Sequence, residues 1–138
     1  MGARSKARKR ALDVLFEAEQ RNAPVREVYL RIANEATSPL NPYTEVLVDG
    51  VWADRERIDE LLATYAEGWT LDRMPAVDRN ILRIAVFELL HERETPVNVV
   101  IDEAVNLAAS LSTDESPGFI NGLLGRIAAL RERIAPVE

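Results

Sequence analysis

Cysteine is absent from all 138 residues, which excludes disulfides, zinc–thiolate sites and a cysteine nucleophile. Histidine occurs once, at position 91, and a lone imidazole without thiols makes no convincing metal site. No apolar run reaches the roughly 18 residues a membrane span needs, and the basic start is not followed by the apolar stretch of a signal peptide. Residues 11–19 instead alternate charged and apolar side chains (Ala-Leu-Asp-Val-Leu-Phe-Glu-Ala-Glu), so a cytoplasmic location is expected. There is also no nucleophile–base–orienter set and no glycine-rich loop to cradle a phosphate. The carboxylate pairs Asp59–Glu60 and Asp102–Glu103 are sequence neighbours, which do not face each other on a helix and form no acid–base dyad. The chain therefore reads as a non-enzyme with no catalytic residues, no metal and no cofactor.

What is present is helical periodicity. Apolar content of 47% against 29% charged residues is ordinary for a globular protein, and this length suffices for one domain with a real core. Val25, Val28, Tyr29, Ile32, Ala33 and Ala36 follow the i, i+3, i+4, i+7 spacing of a buried stripe, as do Ile120, Leu123, Leu124, Ile127, Leu130 and Ile134. Asn41-Pro42, Thr95-Pro96 and Ser116-Pro117 each pair a capping side chain with a proline whose missing N–H is harmless in a first turn. Helices are predicted over about 4–20, 24–36, 42–67, 76–92, 96–111 and 117–134, with a helical turn around 70–74. Gly68 is the predicted stop of the third. Gly50, inside that helix, should cost about 0.5–1 kcal/mol relative to alanine, with close helix–helix approach as the compensation. The β-branched run Val97–Ile101 could pass for a strand, but its continuation through Ala104, Val105, Ala108 and Leu111 keeps a helical period. The prediction is one compact all-α domain over residues 1–138.

Charge is unevenly placed. Arg4, Lys6, Arg8, Lys9 and Arg10 put five basic side chains and no acid in the first ten residues, on a chain whose net charge is −6. A cationic arm on an anionic body is where a polyanion should dock. The apolar stripe begins only at Ala11, Leu12, Leu15 and Phe16, so the arm is expected to project beyond the packed body. Bases at a helix N-terminus oppose the helix dipole, a pattern that invites a functional explanation such as phosphate binding with counterion release. A solubilising tail, or an acidic protein or membrane partner, fits the charge as well.

Other residues admit two readings. Phe119, in the first turn of the last helix, is either a core phenylalanine or a platform for an unstacked base, beside N–H groups that favour a phosphate. Glu115 adjoins it; an acid there would repel phosphate and lower affinity, or merely complement the helix dipole. Asp78 early in its helix is explained by the same dipole. Trp52, Trp69 and Tyr65 are expected in the core, Arg79 and Arg83 on a solvated face or paired with body acids, and His91 as a C-terminal dipole partner.

Four ordered motifs then narrow the reading. Arg4-x-x-Ala-Arg8-x-x-Ala11 leading to Leu15-Phe16, Val77-Asp-Arg-Asn-Ile-Leu-Arg-Ile-Ala-Val-Phe-Glu-Leu-Leu90, Thr95-Pro-Val-Asn-Val-Val-Ile-Asp-Glu-Ala-Val-Asn-Leu-Ala108 and Ser116-Pro-Gly-Phe-Ile-Asn-Gly-Leu-Leu124 together resemble the NusB family of bacterial transcription antitermination factors. The resemblance runs from about residue 4 to 130. It implies about seven helices in two packed subdomains. It also implies binding of the single-stranded boxA element of nascent ribosomal RNA together with the ribosomal protein NusE, so that RNA polymerase reads through terminators. Family RNA contacts fall on Arg4, Lys6 and Arg8, with Lys9 and Arg10 extending the arm, and on Ser116 and Phe119 beside Glu115. Family NusE contacts fall on Phe16 and Asp78. Phe16 stands where tyrosine is common, Ser5 where arginine is frequent, Gly125 where many relatives carry aspartate, and Pro117-Gly118 in place of a more polar pair.

Members of such a family occur as monomers and as homodimers that cover the RNA surface. Two rival readings remain: a helical protein-interaction scaffold with an idle arm, and the RNA-recognition module of an rRNA methyltransferase. The second would need a Rossmann-like catalytic domain that these residues do not contain.

Overall fold

A computed structural model describes residues 2–133; Ile134, the expected end of the last apolar stripe, lies outside them. Seven α-helices follow one another: α1 (Ala3–Arg21), α2 (Val25–Glu35), α3 (Pro42–Ala53), α4 (Arg55–Tyr65), α5 (Ala76–His91), α6 (Val97–Leu111) and α7 (Ser116–Ala129). Short 3₁₀ turns occupy Leu71–Arg73 and Arg131–Arg133. Helix α5 is the axis. Ile81, Leu82, Ile84, Ala85, Val86, Phe87, Leu89 and Leu90 are all buried, and a helix that is apolar nearly all round can sit only in the centre. It packs against α1, α3, α4, α6 and α7, while α1, α2 and α3 pack on one another. The buried side chains of both groups form one continuous core.

Two boundary expectations need correction. The segment 42–67 is not one helix but two, broken at Asp54 (φ −111°, ψ 20°). No glycine or proline marks the break. Asp54 Oδ2 lies 2.9 Å from His91 Nε2 at the end of α5, and the Arg55 guanidinium donates to the Trp52 carbonyl at 2.7 Å. Capping also differs from the repeated device. Asn41 does cap α3, its Oδ1 accepting from the Tyr43 N–H at 2.8 Å. By contrast α6 starts after Pro96 without a side-chain cap, and Ser116 is the first helical residue of α7 rather than its cap.

The compensation expected at Gly50 is present. A Cβ there would lie 2.1 Å from Cε1 of Phe87, so the missing side chain lets the buried Phe87 ring of α5 press on the α3 backbone. Gly68 does not end a long helix; it adopts φ 78° in the loop after α4, a left-handed conformation that glycine takes without steric penalty.

Candidate nucleic-acid interface

The basic arm is folded, not projecting. Helix α1 begins at Ala3, and its basic residues separate by helix face. Arg8 stands four residues before Leu12 and seven before Leu15, in line with the core stripe, and is only 3% exposed. Its Nε donates to Glu88 Oε1 at 2.9 Å and its Nη2 to Oε2 at 2.8 Å, the bidentate geometry that best offsets the desolvation of both charges. The Tyr43 hydroxyl donates to the same carboxylate at 2.8 Å, and Glu103 lies 3.6 Å from Arg8. Burial works to lower the Arg8 pKa, but the hydrogen bond and charge of Glu88 outweigh it and hold the group above its ordinary value. The Tyr43 phenol is pushed up by burial and then by the Glu88 charge. Arg8 is thus a structural cation, buried and paired with carboxylates rather than projecting with the arm.

The other four bases face outward. Arg4 lies over the Tyr43 ring, 4.1 Å from its centroid, and Lys9 pairs with Asp13 at 2.6 Å. The side chains of Lys6 and Arg10, one turn apart and exposed, make no hydrogen bond or ion pair among the described residues. Both border a shallow groove against the loop from Ala36 to Asn41. Phe16, on the same helix, is half-exposed.

At the start of α7 the expected contacts also rearrange. Asp78, 2% exposed, accepts hydrogen bonds from Ser112 Oγ at 2.5 Å and Ser116 Oγ at 2.7 Å. The Ser116 oxygen in turn accepts from the Thr113 N–H at 3.3 Å. This knot ties α5, the end of α6 and the first turn of α7 together. Asp78 and Ser116 are therefore buried groups that hold the start of α7 in place. Phe119 and Glu115 do reach the surface. Phe119 is half-buried and packed against the core, and Glu115 is exposed.

The tryptophans overturn the expectation of core positions. Trp52 is 47% exposed and Trp69 49%, while Tyr65 is half-buried against the core as expected. Trp52 is covered by the Arg55 guanidinium at 4.1 Å. Trp69 stands in the loop after α4 beside Phe119, ring centroids 6.0 Å apart at 56°. The signal for its exposure lies in the sequence: it follows Gly68 and belongs to no periodic stripe.

Arg79 and Arg83 pair with body acids. Glu19 of α1 accepts from both, Arg83 Nε donates to Asp59 at 2.8 Å, and Arg79 Nη1 donates to the Leu71 carbonyl at 2.7 Å. Burial works to raise the Glu19 carboxyl, but the hydrogen bonds from Arg79 and Arg83 prevail and hold it below its usual value. His91 closes α5 as expected, stacked on Phe87 at 4.9 Å.

These pairings place the two surface elements at opposite ends of α5. The arm is pinned by Glu88 and the start of α7 by Asp78, ten residues and about 15 Å apart along the helix axis.

The comparisons with known proteins bear on the whole chain. The NusB family pattern matches residues 5–129. The chain belongs to the NusB family. Relatives described as transcription antitermination protein NusB include one from Saccharopolyspora erythraea, 55% identical over 97% of this chain and 92% of its own length. Another, from Pseudarthrobacter chlorophenolicus, is 58% identical over 95% of this chain and 96% of its own. Among solved structures, NusB from T. maritima superposes with a TM-score of 0.84 at 30% identity, covering 97% of this chain and 99% of that one. A structure of antitermination factors NusB and NusE with double-stranded RNA matches with a TM-score of 0.84 at 26% identity over 94% and 98% of the two chains. Seven helices without a strand among the described residues are thus the NusB architecture, as the four motifs implied.

Proposed function

We propose that this chain is a cytoplasmic, non-catalytic transcription antitermination factor that binds boxA-type single-stranded RNA of nascent rRNA together with the ribosomal protein NusE. The observation that carries this reading is the family match over nearly the whole chain, at 55–58% identity to proteins that bear the antitermination name. The geometry supports a division of labour. Arg4, Lys6, Lys9 and Arg10 supply phosphate attraction, with Lys6 and Arg10 the cations that need give up no internal partner. Phe119 supplies a ring for an unstacked base, and Glu115 beside it limits the approach of phosphate. Phe16 contributes to the NusE surface, on a body whose residues 11–138 carry 12 basic and 23 acidic side chains and so attract a basic protein.

The test is a titration of short boxA-type RNA with and without NusE at several salt concentrations. Affinity should rise when NusE is present. Log K should fall with log salt at about 0.7 per phosphate neutralised, and Lys6→Ala/Arg10→Ala should flatten that slope by up to about 1.4. A folded chain that ignores the RNA in both conditions would leave the scaffold reading in its place.

A further inference from the structure

A groove of about 690 Å³ lies between the loop after α4 and the first turn of α7. Trp69, Phe119, Met74, Pro75, Arg73 and Glu115 are among the residues that line it. Three features of it stand together. The Trp69 indole, on a glycine-turned loop, is 49% exposed, and large exposed apolar surface often marks a binding site. The Phe119 ring is tilted against it, so the two form a corner rather than a closed stack. The Arg73 guanidinium makes no hydrogen bond or ion pair among the described residues and is exposed beside the corner.

Resting on the RNA-binding reading above, we infer that Trp69 is the second stacking residue of the RNA site. It takes an unpaired nucleobase in the corner it makes with Phe119, and the phosphate of that nucleotide lies toward Arg73. The occupant follows from charge complementarity. A flat π face with an attached anion matches an open indole with an unpaired cation beside it, and every base offers such a face. Glu115 on the α7 rim repels phosphate and fixes the polarity, base toward Phe119 and backbone toward the 3₁₀ turn that carries Arg73. The asymmetry between the two ends of α5 then has a meaning. The arm end is cationic and holds backbone, whereas the α7 end is aromatic and holds bases.

The experiment uses a Trp52→Phe chain, in which Trp69 is the sole tryptophan, with NusE present. Addition of boxA-type RNA should quench the indole emission saturably, with the same Kd as an independent anisotropy titration. Trp69→Ala should raise that Kd about five- to 150-fold, the range of one lost base–aromatic contact, without changing the salt slope. Trp69→Phe should recover most of the affinity and Trp69→Leu little of it, because leucine keeps the apolar area and loses the π face. Arg73→Ala should lower the salt slope by about 0.7.

RNA binding of normal affinity with no quenching, and with Trp69→Ala unaffected, overturns the stacking role while the antitermination reading stands. Loss of NusE capture by Trp69→Ala in the absence of RNA assigns the groove to a protein and overturns it equally. Failure of the unaltered chain to bind RNA at all overturns both readings.

Discussion

Arg8 and Glu88 are each a charge at a core position, and their matching explains both. Arg8 shares a stripe with Leu12 and Leu15, and Glu88 follows Ile81, Ile84 and Ala85 at i+7, i+4 and i+3. Either side chain alone would be an uncompensated buried ion. Together, with the Tyr43 hydroxyl donating to the carboxylate, they are satisfied. Arg8→Met should therefore destabilise the fold by about 3–5 kcal/mol, and Arg8→Met/Glu88→Leu should recover most of that loss, since an apolar pair of similar volume is often neutral. Urea unfolding of the two variants decides this; a single variant as stable as the double one would mean the pair is not a coupled unit. Arg8→Met protein that remains folded should keep the salt slope of RNA binding. At this scale the candidate site was legible in charge but not in role. Composition pointed to the arm, and the stripe that singles out Arg8 from Lys6 and Arg10 was in the sequence. The partner of Arg8, 80 residues away, was not. The same holds for Asp78 and Ser116, whose mutual hydrogen bond crosses 38 positions.

Among the elements, α1, α2, α5, α6 and α7 were legible as separate helices because their apolar period is unbroken within each, and period needs no tertiary knowledge, whereas α3 and α4 read as one. The break at Asp54 was hidden because it is set by the contact with His91 from α5, not by a local breaker. Gly50 shows the opposite case, where a local weakness told of a tertiary fact: its lost helix propensity made sense only as a close approach, and Phe87 is what approaches. Gly50→Ala gains intrinsic propensity of about 0.5–1 kcal/mol but places a methyl into that ring. The ring is buried and stacked on His91, so it cannot swing aside freely. Overpacking of this kind costs about 1–3 kcal/mol, and the net expectation is a lowered urea midpoint. A variant more stable than the natural chain would show that the α3–α5 contact yields to the methyl.

For the whole molecule the question is how two helical groups become one body, and Glu19 is the clasp. It sits on α1, receives Arg79 and Arg83 from α5, and through Arg83 reaches Asp59 of α4. Its folded pKa is depressed below the ordinary 4.5. Glu17 is depressed as well, by hydrogen bonds from Arg31 and Arg21, but it lies on the surface, where solvent screens the gain. For a depressed carboxyl the unfolded chain binds the proton first, so stability rises with pH across the interval between the two pKa values. The contribution of Glu19 is fully present above about pH 4.5 and is lost as pH falls through its lowered folded value. Glu19→Gln lacks the charge at every pH. The natural chain should therefore exceed Glu19→Gln in urea midpoint at neutral pH, and the two profiles should converge in acid, once Glu19 is protonated in the folded state. A gap that persists unchanged to about pH 2.5, well below the ordinary carboxylate range, would mean that shape rather than charge holds α1, α4 and α5 together at this point.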